Sequence, residues 1–575
     1  MDPPVPRDAP RRRTRVSLAA VAPGLAALLH YDRSAARYDL IAGFTVGLVA
    51  VPSALAMGEL AGVPVQFGLY ATLFPLAAYG LLATSRQHVI GPDAALSALT
   101  AATLAPVATV DGAVDPALYA VLAAGLAMAM GGLLVLAGVL HLGFIGDFFG
   151  KPVLLGYING VAVIVIFSQL EKLLGITVDA NDFVPMVEET VGDLGDLNGS
   201  TVLLSLGLLA IALAVRRFVP GFPASIAVLV AALGVATLFD VGDWDIATVG
   251  DVEGGQPPVG IPDVTLSQLT ELLLPACAFG LIAFADTAAT VRTFAQRHHY
   301  EVDANRELTA LGTANLLSGL TSAFPVSSSN SRSAVNDATG ARTQASALVA
   351  AIVVGLFLLF LMPLIEPLPK AALGVVIVIA ASGLIDVRSI WSLRHIRSAE
   401  VGLAVAAFAG VLVFGVLGGI AIAIALSIGV FLHRAARPHD AVLGHVHDLD
   451  GYHDVGRDAG AESIPGLLVY RFDAPPFFVN AEYLRRRVLD LVEAADDLDW
   501  VVLNAEAWMF VDATAIDMLA ELQSELAARD VTLAFARLKG RQRDIFSQTG
   551  LTAQVGADRF FPTVRTAVSA FEDRG

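Results

Sequence analysis

The sequence predicts an α-helical polytopic membrane domain followed by a soluble α/β domain, and three observations carry that expectation. Of the 575 residues, 55% are hydrophobic and 16% charged, whereas a soluble chain of ordinary composition carries about a quarter charged residues. The apolar residues gather in long runs across residues 38–435, while residues 436–575 read as ordinary soluble sequence. Basic residues also alternate from one connection to the next, as they do in chains that cross a bilayer repeatedly.

A spanning helix needs about 20 apolar residues. The runs Tyr119–Leu140, Val153–Leu174, Pro223–Phe239 and Ser346–Met362 are long enough. Others are short or broken: Ile41–Met57 contains Pro52, and the run after Gly91-Pro92 is brief. The sum is about 14 spans, some of them half-helices. With the N-terminus inside, the inner connections hold Arg86, Lys151, Arg216 and Arg217, then Arg292, Arg297, Arg306 and Arg342, and finally Arg388, Arg394, Arg397, Arg434 and Arg437. The outer connections Val107–Pro116, Asp179–Gly199 and Asp240–Asp263 are acidic and contain no Lys or Arg, with Lys172 and Lys370 as mild exceptions near other outer ends. This alternation places both termini in the cytoplasm of a plasma-membrane protein.

Residues 1–37 imitate a signal peptide, because Arg11, Arg12, Arg13 and Arg15 precede the apolar stretch Val16–Leu29. Pro23 and Gly24 break that stretch, so it reads as a cytoplasmic basic arm and an interfacial helix. The net charge of −18 argues against a nucleic-acid partner. The single cysteine, Cys277, excludes a disulfide framework and a thiolate metal site, and reads as a small packing residue.

Two segments share one design: Val89-Ile90-Gly91-Pro92-Asp93-Ala94 and Phe324-Pro325-Val326-Ser327-Ser328-Ser329-Asn330-Ser331-Arg332. Each has a proline-marked start and then a helix too short to span. They fall about seven spans apart, and an odd number of spans per repeat inverts the second copy. A helix start exposes free N–H donors and partial positive charge, so two starts facing one cavity can hold an anion. Arg332, an ionisable group within a span, strengthens that reading. Pro at a helix start is also common for structural reasons alone.

Asp286 and Thr290 lie four residues apart on one face of an apolar helix. A carboxylate there needs a partner. Together with backbone carbonyls the pair makes a hard-oxygen site for Na⁺; alternatively Asp286 carries H⁺, or is a structural carboxylate that pairs with Arg332 or caps the other helix start.

These residues resemble the SulP anion transporters (solute carrier family 26) along nearly the whole chain. The motifs are Tyr38-Asp39-Leu40-Ile41-Ala42-Gly43, Ala61-Gly62-Val63-Pro64, Thr84-Ser85-Arg86 with Gly91-Pro92, Asp303-Ala304-Asn305-Arg306-Glu307, and Ser331-Arg332-Ser333 through Gly340-Ala341-Arg342-Thr343. The resemblance implies 14 spans in two inverted halves of seven. It also implies a homodimer, and a core part (spans 1–4 and 8–11) moving against a gate part in an elevator-like cycle. It places the anion at Gly91, Pro92, Asp93 and Ala94 and at Ser328, Ser329 and Asn330, with Arg332 behind them. Asp286 and Thr290 look like the sodium pair of the bicarbonate branch, joined by oxygens of Ser328 and Asn330, and Ser53 after Pro52 is closer to that branch too. The flanks of Ser327–Arg332 look more like sulfate carriers. Asp93 departs from the family, whose members commonly have a neutral residue there; it acts either as a cap or as a proton carrier.

The tail alternates strands (Gly466–Phe472, Trp500–Asn504, Val531–Ala536) with helices (Ala481–Glu493, Thr514–Ala528, Arg541–Gln548). It resembles the STAS domain through Phe477-Phe478-Val479-Asn480 and Val511-Asp512-Ala513-Thr514. Thr514 stands where stand-alone STAS proteins carry a phosphorylated hydroxyl, so Asp512 and Thr514 are either a regulatory pair or a helix cap. A cytoplasmic regulator would act there. The expected function is secondary transport of a small inorganic anion, foremost Na⁺-coupled bicarbonate uptake. Sulfate or another oxyanion with H⁺, an H⁺-coupled dicarboxylate, and a non-transporting anion sensor are the alternatives. No nucleophile–base pair or metal cluster in the spans points to an enzyme.

Overall fold

The computed structural model describes residues 22–110, 113–144, 151–178, 180, 183–219, 222–239, 244–250, 255–395, 397–446, 449–458, 460–495 and 497–573. Arg11, Arg12, Arg13 and Arg15 of the basic arm lie outside the described residues. The chain divides into two compact units, Met1–Ser427 and Ile428–Gly575.

The first unit is helical. Its main helices are α1 (Ala36–Leu60), α2 (Gln66–Leu82), α3 (Ala94–Leu104), α4 (Pro116–Val139), α5 (Lys151–Ser168), α6 (Gly199–Phe218) and α7 (Ala224–Leu238). There follow α8 (Leu266–Arg297), α9 (Ala304–Leu320), α10 (Asn330–Ala338), α11 (Ala345–Phe360), α12 (Lys370–Ser382) and α13 (Ser398–Ala436), whose residues from Ile428 onward belong to the second unit. Seven helices among the described residues are long and apolar enough to cross a membrane, and five shorter apolar helices accompany them. The molecule is therefore a multi-pass membrane protein. Four two-residue strands interrupt the helices: β1 (Ile90–Gly91), β2 (Thr109–Val110), β3 (Ala113–Val114) and β4 (Ser327–Ser328).

Pro52 does not break α1, which runs through it as one helix of 25 residues. Burial explains the correction, because α1 packs along α11 and α2, and neighbouring helices let a buried span tolerate proline. Cys277 is exposed rather than packed. Its neighbour Gly280 faces Leu134 and Met130 of α4, and Cys277 itself lies with Leu136 and Leu140 on the wall of an apolar groove. The break in α13 falls instead at Gly415, whose φ of 72° and ψ of 175° leave the helical region.

Two groups of helices pack closely within the unit, and α1 joins them by packing against α12 and α7 as well. In one, α4 packs on α9 and α8, α1 on α11 and α2, and α2 on α9. In the other, α12 packs on α5, α6 and α7. The first set is held by close backbone approach. A Cβ on Gly312 of α9 would stand 2.7 Å from the carbonyl oxygen of Gly131 on α4, and one on Gly131 the same distance from that of Gly312. Small residues at such a crossing let dispersion and packing hold helices together where lipid offers no hydrophobic drive.

In the second unit a six-stranded sheet has the order β10-β9-β8-β7-β5-β6. Its strands are β5 (Asp440–His445), β6 (Tyr452–Asp454), β7 (Leu467–Phe472), β8 (Trp500–Asn504), β9 (Thr532–Ala536) and β10 (Phe560–Phe561). Strands β7 to β10 run parallel, and β5 joins antiparallel. Alternate residues serve opposite faces, as strand geometry requires. Tyr470, Val501 and Phe535 pack under α14 (Ala481–Glu493) and α15 (Ala513–Ala527), while Val469, Trp500 and Ala534 pack against the terminal helix Val564–Glu572.

Gly312→Val should lower the thermal unfolding midpoint in detergent, at a cost of about 1–3 kcal/mol or more for forced overpacking. Gly132→Val, where nothing lies within 4 Å, should leave the midpoint unchanged; equal shifts would show that the α4–α9 seam is not the constraint.

Candidate anion-binding site

The two proline-marked segments meet. Strands β1 and β4 pair antiparallel, with Ile90 opposite Ser328 and Gly91 opposite Ser327. The Ser329 amide donates to the Val89 carbonyl at 3.0 Å, and the Val89 amide to Ser333 Oγ at 2.9 Å. Asn315 of α9 secures the approach to β4, giving Nδ2 to the Val326 carbonyl at 3.0 Å and taking the Val326 amide at 2.9 Å. The starts of α3 and α10 are thereby set side by side.

These two starts differ. Asp93 Oδ1 accepts from the amides of Ala95 at 2.8 Å and Leu96 at 3.2 Å, and its other oxygen accepts from the Ser327 hydroxyl. Asp93 therefore acts as the N-cap of α3 and itself occupies that helix dipole. At α10 the N-cap, Ser329, makes no side-chain capping bond. The first-turn donors of α10 are thus the ones left for an external anion.

Arg332, only 1% exposed, lies behind both starts. Its Nε donates to Ser329 Oγ at 2.7 Å and its Nη2 to the Pro92 carbonyl at 2.8 Å. Its Nη1 is buried without a hydrogen-bond partner. Gly91 makes room for it: φ is 152°, and an added Cβ would stand 2.8 Å from both terminal nitrogens. Arg332 does not pair with Asp286, which corrects one of the two structural alternatives raised for that carboxylate.

Asp286 and Thr290 converge on Asn330 instead. Asn330 Nδ2 donates to Asp286 Oδ1 at 3.1 Å, and its Oδ1 accepts from the Thr290 hydroxyl. Ser328 Oγ lies 3.4 Å from Thr290 Oγ1. The oxygens of Asp286, Thr290, Ser328 and Asn330 are therefore close together, as a Na⁺ site needs. The Asn330 amide nitrogen, however, faces the carboxylate and would have to turn for these four to coordinate a cation.

A cavity of about 300 Å³ opens on the two helix starts. Ser53, Pro92, Asp93, Ala94, Asp286, Ser328, Ser329 and Asn330 line it. Gly91, Thr290 and Arg332 are not on its wall and act through their neighbours. The remaining wall includes Arg216 from the last turn of α6 and Ile379, Ala380, Gly383 and Leu384 at the end of α12. Sequence reasoning read Arg216 only as a topological charge. The Arg216-Arg217 doublet was the available signal, but nothing local links it to α12, where Arg216 Nη2 donates to the Ile379 carbonyl at 3.3 Å.

In the tail, Asp512 accepts from the amides of Ala515 and Phe478, each at 2.9 Å. It caps α15 and ties down the neighbouring loop. Thr514 is exposed and takes no part in the cap, which corrects the expectation that both residues cap the helix.

Paired half-helices around a polar cavity within a multi-pass helical unit define a membrane transporter for small anions. The sulfate permease family profile matches residues 37–407 and the STAS domain profile residues 459–567; the chain belongs to the sulfate permease family, one of transporters and not of enzymes. It is 41% identical to a probable sulfate transporter of Mycobacterium tuberculosis over 97% of this chain and 99% of that one. It is 29% identical to the chloroplastic sulfate transporter 4.1 of Arabidopsis thaliana, over 92% of this chain and 79% of the relative. The fold matches the murine solute carrier 26 family member A9 anion transporter in its inward-facing state, with a TM-score of 0.90, 22% identity and coverage of 99% and 97% of the two chains. The transmembrane domain of the cyanobacterial bicarbonate transporter BicA matches with a TM-score of 0.60 and 23% identity, over 68% of this chain and 98% of that one.

Gly91→Ala should displace the Arg332 guanidinium and weaken oxyanion binding at least about tenfold, the equivalent of about 1.4 kcal/mol; calorimetry on purified protein reads this directly. Asp512→Ala should speed amide exchange at Phe478 and Ala515 by an amount matching a lost cap, about 1 kcal/mol, while Thr514→Ala leaves both amides unchanged.

Proposed function

We propose that the chain takes up sulfate, or a closely similar tetrahedral oxyanion, together with protons. The observation that carries this reading is the pairing of an uncapped α10 start, backed by Arg332, with two carboxylates, Asp93 and Asp286, on the same cavity wall. The formal charges of Asp93, Asp286, Arg216 and Arg332 cancel. A dianion entering that neutral, partly desolvated space is costly unless positive charge enters with it. The names of the relatives favour sulfate as that dianion. Asn330, hydrogen-bonded to both Asp286 and Thr290, favours a proton over a metal cation as the coupling charge.

In this reading the set built on α1, α2, α4, α8, α9 and α11 carries the site past the set around α12, in an elevator-like cycle. The chain spans the plasma membrane about 14 times, in two inverted halves of seven. It works as a homodimer with both termini in the cytoplasm, where the STAS domain, residues 436–575, meets a regulator. The second reading, Na⁺-coupled bicarbonate uptake, draws on the four clustered oxygens of Asp286, Thr290, Ser328 and Asn330.

Uptake of labelled sulfate and labelled bicarbonate into proteoliposomes, under an inward proton or an inward Na⁺ gradient, separates the two. Sulfate uptake should rise several-fold with the proton gradient and ignore Na⁺. Bicarbonate uptake that requires Na⁺ and is abolished by Asp286→Asn would overturn the sulfate reading.

A further inference from the structure

Behind Ser328 on the cavity wall runs a line of buried polar groups, His88, Tyr79 and Glu307, that neither reading uses. Ser328 Oγ lies 2.9 Å from His88 Nε2. His88 Nδ1 lies 2.8 Å from the Tyr79 hydroxyl, which donates to Glu307 Oε2. Glu307 Oε1 takes the Thr84 amide at 2.8 Å, the Thr84 hydroxyl at 2.5 Å and the Ser85 amide at 2.9 Å. His88 and Tyr79 are 0% exposed, and Ser328 and Glu307 each 2%. The line is continuous from the cavity wall to the start of α9.

Hydrogen counting fixes its direction. A phenol has one hydrogen, and Tyr79 gives it to Glu307. The Tyr79 oxygen must then accept from His88, which puts the imidazole hydrogen on Nδ1. His88 Nε2 is left as an acceptor, and at 2.9 Å it takes the single hydrogen of the Ser328 hydroxyl in preference to Thr290 Oγ1 at 3.4 Å and to the Asp286 carboxylate, which already accepts from Asn330. While Glu307 is ionised, Ser328 therefore points its hydrogen away from the cavity and shows an oncoming anion only lone pairs.

We propose that Ser328, His88, Tyr79 and Glu307 form a proton relay that stores one proton on Glu307 and thereby turns Ser328 into a donor for the bound oxyanion. A proton arriving at Ser328 Oγ from the cavity displaces the hydroxyl hydrogen onto His88 Nε2. The Nδ1 hydrogen passes to Tyr79, and the phenol hydrogen passes to Glu307. Each group gains one hydrogen and loses one, except Glu307, which ends as the neutral acid. Every hydrogen bond in the line is then reversed, and the hydrogen on Ser328 faces the cavity. The carboxylic acid keeps an oxygen for the Thr84 and Ser85 donors, so the surrounding structure need not move.

The groups around the line are few. On the cavity side Ser328 faces Asp286 and Thr290, with Asp93 on the adjoining β1–α3 turn. Around Glu307 stand Tyr300, whose hydroxyl accepts the Arg86 amide at 3.2 Å, and Asp303, whose amide lies 3.3 Å from Thr84 Oγ1. The Arg86 guanidinium lies over the Tyr300 ring at 5.0 Å.

This inference rests on the sulfate–proton reading. It is tested by sulfate affinity across a pH series on the purified full-length protein. A single coupled proton makes the wild-type Kd rise about tenfold per pH unit on the alkaline side. Tyr79→Phe cuts His88 off from Glu307 and frees the imidazole to change tautomer without a proton, so the slope should flatten. Glu307→Gln should flatten it too, at the tight, acid-side affinity. The amide oxygen keeps the Thr84 and Ser85 donors, while the amide nitrogen donates to Tyr79 as the neutral acid would. Retention of the wild-type slope in a folded Tyr79→Phe protein overturns the relay and leaves sulfate standing. A slope lost in Asp286→Asn but kept in Tyr79→Phe also overturns it, placing the proton on Asp286. Wild-type protein that binds no sulfate at any pH overturns the sulfate reading and the relay with it.

Discussion

The structure of the membrane unit depends on one constraint: two helices begin from segments buried inside the protein, where other protein groups must satisfy the free backbone. Irregular chain is tolerated at membrane depth only when protein groups take up its donors and acceptors. The β1–β4 pairing does so with the smallest possible piece of sheet, and Asn315, Ser333 and Gln344 complete the account from three different helices or their approaches. Gln344 Nε2 alone serves the carbonyls of Ser85 and His88, each at 3.0 Å. Without this crossing, neither helix start could be presented to a cavity.

The crossing also makes the site asymmetric. A pseudo-symmetric pair of helix starts would offer an anion two equal dipoles. Asp93 satisfies one of them from within the chain, so the ligand competes for the start of α10 alone. In the proposed reading the anion is held mainly at the start of α10, while the β1–α3 segment supplies a fixed negative charge and the Pro92 carbonyl that orients Arg332.

Much of this was legible in the sequence, and the limits have a physical pattern. Long apolar runs, alternating basic connections and proline-marked short helices depend on local composition, and the helices they announce are present. The contacts that make the site depend on chain crossings that no local pattern records: Asn330 bridging Asp286 to Thr290, Arg216 reaching the end of α12, and Glu307 holding the Thr84-Ser85 turn. Several family motifs prove to be halves of such clasps. Asp39 of the Tyr38-Asp39 motif accepts the amides of Arg342 at 2.7 Å and Thr343 at 3.0 Å, both in the Gly340–Thr343 motif. Pro52 and Cys277 misled because breaking and packing were inferred from residue type, whereas the neighbouring helices decide both.

The exposure of Cys277 has a practical consequence. It is the only cysteine in the 575 residues, and it stands open on α8, the helix that carries Asp286. The native polypeptide therefore offers one thiol for a spectroscopic reporter, attached to the helix that carries Asp286 and requiring no engineered background. If the proposed homodimer and elevator-like cycle hold, such a reporter yields a single distance between copies, and that distance follows the travel of the binding site.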